Sequence, residues 1–160
     1  LGVILGEGMS SRLFQELREK QGLAYDVHSY VHHFLDSGAF IVYAGVEHSK
    51  AKGAIQSILE ELGKLREGVS EAELTKAREL SKGRLLLRME DSRAVTGWMG
   101  AQELLLSEVK SVDKVVAALE SITTEDLQRI ARRLVVGDKL NLAVVGPVRG
   151  EKGLHHLLKI

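Results

Sequence analysis

Six histidines, His28, His32, His33, His48, His155 and His156, raise a metal site as the first chemistry to test. Neutral imidazole is the commonest side-chain ligand for transition metals. None of the six forms the helical pair four residues apart, with a glutamate between, that grips zinc. His28 and His32 are four apart, but they lie in a run of strand formers. In a strand, that spacing separates the ring positions by about 13 Å at about 3.3 Å per residue, so the two cannot share one ion. Surface or hairpin histidines are the plainer expectation. Gly6-Glu7-Gly8-Met9-Ser10 precedes a helical stretch and resembles a phosphate cradle, since glycine admits close approach and a helix start attracts anions. It lacks a preceding strand and the Lys-Ser/Thr pair of a nucleotide loop, and a connection between two helices is the expectation. Asp113, Glu120 and Glu125 fall on polar helical faces with basic neighbours, so no general acid and base pair stands out. Arg18 and Tyr25 differ from all of these. A guanidinium in the last turn of a helix and a phenol at the opening of a strand, joined through Gly22, can reach one rim as fixed donors to a peptide carbonyl. Spacing alone also allows an ordinary helix-end cation beside a strand aromatic.

The elements that must carry this pair are legible in the pattern of apolar residues. Ser10 and Ser11 are expected to cap a helix running to about Lys20, with Leu13, Phe14 and Leu17 on one face and Gly22 as its stop. The runs from Ala24 to His33 and from Ala39 to Val46 lack helical spacing and flank Asp36-Ser37-Gly38, which predicts an antiparallel hairpin. Ala51, Ala54, Ile55, Ile58, Leu59, Leu62 and Leu65 then recur at threes and fours until Gly68. Ser70-Glu71-Ala72-Glu73 is a capping box for a second long helix, ending near Glu90. Asp91-Ser92 opens a third, packed through Trp98, Met99, Leu104 and Leu105. Two shorter helices follow, from Ser111 and from Thr124, the latter turning Leu127, Ile130, Ala131 and Leu134 inward. Leu140, Leu142 and Val144 alternate with their neighbours up to Gly146-Pro147, which predicts a last strand. The fold class is therefore α+β, a largely antiparallel sheet covered on one face by helices. So few strands are poor cover for so many helices, and a further strand, the first of the sheet, is expected upstream of Leu1. Residues 1–147 form the expected domain and 148–160 a C-terminal tail.

Composition narrows the function classes. The chain has 160 residues, 22 Lys and Arg against 22 Asp and Glu, and no cysteine. Zero net charge argues against a phosphate-backbone or anionic-lipid footprint, so neither nucleic acid nor membrane is an expected partner. No apolar run approaches the roughly 20 residues of a membrane span. The lack of cysteine removes disulfide frameworks, thiolate nucleophiles and Cys-ligated zinc. The opening Leu1-Gly2-Val3-Ile4-Leu5 reads as the end of an element begun earlier. Targeting signals are then out of view, and the cytoplasm is the default compartment.

The run from Gly6 through Ser10-Ser11-Arg12-Leu13-Phe14-Gln15-Glu16-Leu17-Arg18 to Gly22-Leu23-Ala24-Tyr25 resembles the second domain of zinc peptidases of the insulinase and pitrilysin type, which include mitochondrial processing peptidase. The resemblance continues through Asp36-Ser37-Gly38-Ala39-Phe40, Tyr43-Ala44-Gly45, Val69-Ser70-Glu71-Ala72-Glu73-Leu74 and Leu142-Ala143-Val144-Val145-Gly146-Pro147. Where the family usually has three glycines, this chain reads Gly6-Glu7-Gly8. The resemblance implies a clam-shell peptidase of two similar α+β halves, one carrying an inverted His-x-x-Glu-His zinc motif. This chain has no such motif and resembles the other half. It implies a substrate-binding role for Arg18 and Tyr25, no catalytic residue and no metal ligand in this chain, and zinc in a partner half that lies upstream or in a separate subunit. A peptide substrate and self-association of the isolated chain are the remaining expected partners. The alternative is a catalytically silent structural module resembling the core subunits of respiratory complexes.

Overall fold

The computed structural model describes residues 1–147, Leu154 and 156–160. The chain opens with α1 (Gly2–Gly6), followed by a π-wound helix (Phe14–Lys20) and the strands β1 (Ala24–His33) and β2 (Gly38–Val46). Among the described residues five longer helices follow: α2 (Ala51–Glu67), α3 (Glu71–Arg88), α4 (Ser92–Leu106), α5 (Val112–Ser121) and α6 (Thr124–Leu134). The architecture is α+β. Among the described residues no helix is long and apolar enough to cross a membrane.

The two strands pair antiparallel, with Val27 opposite Ala44, Tyr30 opposite Ile41 and His33 opposite Gly38. The Phe34 amide donates to the Ser37 carbonyl at 2.9 Å across the turn. Strand alternation places Val27 and Ser29 on the buried face. Against them lies α1, so close that a Cβ on Gly6 would sit 2.4 Å from the Ser29 amide nitrogen. Ser29 Oγ also donates to the Gly2 carbonyl at 2.9 Å. Leu5, Leu13, Leu17 and Leu65 are fully buried where α1, the π-wound helix, the sheet and α2 meet. Leu127 and Ala131 of α6 close this core from the far side of α2. Arg132 Nε reaches the Arg66 carbonyl there at 3.3 Å.

Past Ala77 of α3, which still packs against this core, the chain leaves the body as an arm through α4 and α5 and returns to it at α6. Arg78 ties α3 to the end of α5 through the Leu119 and Ile122 carbonyls, at 3.2 and 2.8 Å. The capping box at Ser70 and the cap at Asp91 form as the sequence predicts.

Four expectations need correction. Leu140–Val145 is not a strand, and the sheet has two strands among the described residues. A cleft of about 640 Å³ lies between β2 and residues 139–143, so the segment has no backbone partner to ladder with. Ser10 and Ser11 do not cap the following helix. Ser11 Oγ donates instead to the Gly8 carbonyl at 2.8 Å, which tightens the turn leading into it. The apolar face of α4 is only partly packed: the helix buries no residue fully, Trp98 is half-buried, and Met99, Leu104 and Leu105 are exposed. Leu134 is likewise exposed, at the rim of the cleft. Of the expected tail, residues 148–153 and His155 lie outside the described residues, while Ile160 packs against the core.

Candidate functional site

Arg12 fixes the helix that carries Arg18. Its Nε donates to Glu73 Oε1 at 2.6 Å and its Nη2 to Glu73 Oε2 at 3.0 Å, a bidentate pair. The same Nη2 reaches the Gly68 carbonyl at 3.0 Å. Glu73 meanwhile accepts from the Ser70 amide and hydroxyl, both at 2.9 Å, as the capping box requires. One carboxylate thus caps α3 and anchors the site helix. The Arg12 guanidinium, followed by the Ser70 donors, holds the Glu73 carboxyl at a pKa of about 2. The capping box pointed to Glu73, but nothing local in the sequence pointed to Arg12, whose partner is 61 residues away.

From Phe14 the helix widens to π winding, seen in the Gln21 amide bonding to the Glu16 carbonyl five residues back at 3.1 Å. Gly22 then takes φ of +59°, a left-handed turn that suits glycine. The Leu23 amide returns to the Leu17 carbonyl at 2.7 Å. The turn is pinned from α2, where Ser57 Oγ donates to Gln21 Oε1 at 3.0 Å, and by Lys50 Nζ on the Gly22 carbonyl at 3.0 Å. A bulge between Ala24 and Asp26 leaves Tyr25 without a cross-strand partner and 84% exposed.

The result brings Arg18 and Tyr25 together. The Arg18 Cζ lies 5.3 Å from the centre of the Tyr25 ring and 4.9 Å from that of Phe14, so the guanidinium sits between two π faces. Its charged neighbour is Glu19, at 4.0 Å. No hydrogen bond within the described residues takes up the Arg18 N–H groups. Phe14 is the member of this trio that the spacing argument missed. Its position four residues before Arg18 on one helical face was the available signal.

The other candidates behave differently. Gly6-Glu7-Gly8 links α1 to the π-wound helix, and Glu7 pairs with Arg84 of α3 rather than framing an anion site. His28 and His32 both lie on β1 with Tyr30 between them, and the His28 ring stacks on Tyr43 with centroids 4.9 Å apart. No group of three or more His, Cys, Asp or Glu side chains able to hold a metal ion occurs among the described residues.

Residues 1–81 match the protein family described as the peptidase M16 inactive domain. The chain is 40% identical over 153 residues to an uncharacterized zinc protease of Streptomyces coelicolor, an alignment covering 95% of this chain and 33% of that protein. Among solved structures, a protease from Helicobacter pylori superposes with a TM-score of 0.74 at 28% identity, over 82% of this chain and 32% of the other. A chain of Complex III2 from Candida albicans superposes with a TM-score of 0.77 at 21% identity, over 85% of this chain and 35% of that one, which shows the shared fold. The chain spans about a third of the length of the curated relatives it matches.

Proposed function

The chain belongs to the family of the peptidase M16 inactive domain, and from that membership we propose that it is the substrate-binding, non-zinc half of a zinc-dependent metalloendopeptidase that cleaves peptides or small proteins. The observation that carries this reading is the Arg18 guanidinium held against the rings of Phe14 and Tyr25, with no hydrogen bond within the described residues taking up its N–H donors. Holding a flexible side chain between two rings reduces the entropy lost when it binds, and a forked donor suits the oxygen of a peptide carbonyl. Tyr25 stands beside it as a second donor or acceptor.

Among the described residues no group of three or more His, Cys, Asp or Glu side chains fits a zinc ion. The ion belongs to the partner half, in the same polypeptide or another subunit, where zinc polarises a carbonyl and lowers the pKa of bound water. In the absence of that partner, the uncovered apolar face of α4 is the surface through which the chain self-associates.

In the peptidase assembled from this chain and its zinc-bearing half, Arg18→Ala is expected to lower turnover about a hundredfold while leaving the unfolding midpoint nearly unchanged. A loss of stability matching the loss of turnover assigns Arg18 a structural task and overturns the reading. The chain purified alone is expected to hydrolyse no peptide, and chelator-sensitive cleavage by it would be equally damaging. The likeness in fold to a Complex III2 chain supports a second reading, a silent structural module. A full-length protein that cleaves nothing and binds no peptide through Arg18 decides for that module.

A further inference from the structure

One face of the hairpin carries a run of rings that the carbonyl-binding role of Arg18 leaves unused. The centroids of His28 and Tyr30 are 5.7 Å apart, those of Tyr30 and His32 are 5.2 Å apart, and those of His32 and Phe34 are 6.1 Å apart. Tyr43 joins from β2, stacked on His28 with the planes 30° apart. The opposite face of β1 is spent on the core through Val27 and Ser29, so the ladder looks outward. Phe34 is 58% exposed and Tyr43 48%.

The ladder continues the Arg18 site. Tyr25 is the bulged residue at the start of the same strand, and Asp26, the next one, pairs loosely with His28 at 3.5 Å. Spacing identifies what fits. Side chains on one side of an extended peptide recur about every 6.6 Å, close to the 5.2 to 6.1 Å steps of the rings. Chemistry argues for a transient occupant. Tyrosine and histidine present a flat apolar body and a polar tip that can return to water.

We propose that the ring ladder of His28, Tyr30, His32, Phe34 and Tyr43 is an extended recognition surface of the peptide site, holding substrates that carry aromatic side chains at alternate positions. The proposal rests on the peptide-binding reading of Arg18 and Tyr25 and deepens it by naming the substrate class. From His28 to Phe34 the ladder runs about 20 Å, so its influence extends about six residues along the bound chain. Aromatic side chains on the substrate meet both imidazole and phenol faces in offset-stacked or edge-on geometry.

The test uses two synthetic dodecapeptides with the same residues around one scissile bond, one carrying Phe and the other Ala at alternate distal positions. With the assembled peptidase, kcat/KM is expected to favour the Phe peptide by tenfold or more, mainly through KM. The double variant His32→Ser/Tyr43→Ser should bring that ratio close to one, and Tyr43→Phe, which keeps the ring, should preserve it. Fluorescence anisotropy of the labelled peptides on the full protein supplies a readout independent of cleavage, with the same expected order of affinities. Cleavage that depends on Arg18 but shows no Phe preference, or a preference the double variant leaves intact, overturns the ladder and spares the peptidase reading. Preferential binding of the Phe peptide that the double variant abolishes, without any cleavage, supports the ladder and removes the peptidase reading. A Leu version bound and cleaved as well as the Phe version also overturns the proposal, since it reports general hydrophobicity.

Discussion

The body of the molecule and its arm place leucines in opposite circumstances. Leu5, Leu13, Leu17 and Leu65 have no exposure at all in the body, where the π-wound helix, sheet and α2 converge. In the arm, α4 and α5 bury no residue, and Leu104 is 81% exposed. Helical periodicity alone does not separate the two regions, because it shows that a stripe of apolar residues exists without showing what faces it. The side chains proposed to touch substrate, Arg18 and Tyr25, belong to the well-packed region. Fixed donors need rigid support, and an uncovered helix does not supply it.

Substitutions should expose that contrast, starting with the core. Leu65→Ala is expected to destabilise the chain by about 3 kcal/mol in denaturant unfolding, through lost burial and the cavity left behind. A loss below about 1 kcal/mol would mean the body is looser than its burial implies. Next in size is the clamp between the two regions. Arg12 and the Ser70 donors hold the Glu73 carboxyl at about 2 in the folded chain against about 4.5 when unfolded, so its stabilisation is complete above the unfolded value. It is lost as pH falls from about 4.5 toward 2. The side chain is about a third exposed, and water screens part of the effect. Glu73→Gln should therefore cost about 1 kcal/mol at pH 7, and the gap from the parent chain should narrow below pH 4.5 and nearly close at about pH 2. A gap independent of pH would transfer the effect to the α3 cap alone. The smallest effect belongs to the arm: Leu104→Ala should change stability by less than about 0.5 kcal/mol. Leu104→Lys should nonetheless abolish self-association of the isolated chain in light scattering. A monomeric parent chain at high concentration would remove the role given to that face.

Much of the fold was legible because its signals are local. Asp36-Ser37-Gly38 between two β-rich runs marked the hairpin, and Ser70 with Glu73 marked the start of α3 to the residue. The missing strand at Leu140–Val145 shows where such reading stops. Alternation identifies a segment able to pair, but a strand needs a neighbour, and among the described residues none lies beside it. The winding of the site helix was hidden for a different reason. Phe14 to Lys20 reads as an ordinary amphipathic turn, and its wider pitch goes with partners distant in sequence, the pins from Lys50 and Ser57 at the turn that ends it. At the site, sequence spacing allowed Arg18 and Tyr25 to share a rim but equally an ordinary helix-end cation beside a strand aromatic, and in the structure the Arg18 Cζ lies 5.3 Å from the centre of the Tyr25 ring. Phe14, the ring beneath, had a signal in its place four residues before Arg18, whereas Arg12, the anchor behind, emerged only from contacts in three dimensions.

The contact at Gly6 sets the thickness of the whole layer. With 2.4 Å separating an imagined methyl from the nitrogen of Ser29, the distance between the first helix and the first strand is defined by an atom that is missing. The residues on either side of Ser29 along that strand, Tyr25 and the rings included, stand on a layer whose closest approach to the helix is made at this one bare position. A mutation that never touches a peptide could thus misplace the entire surface that does.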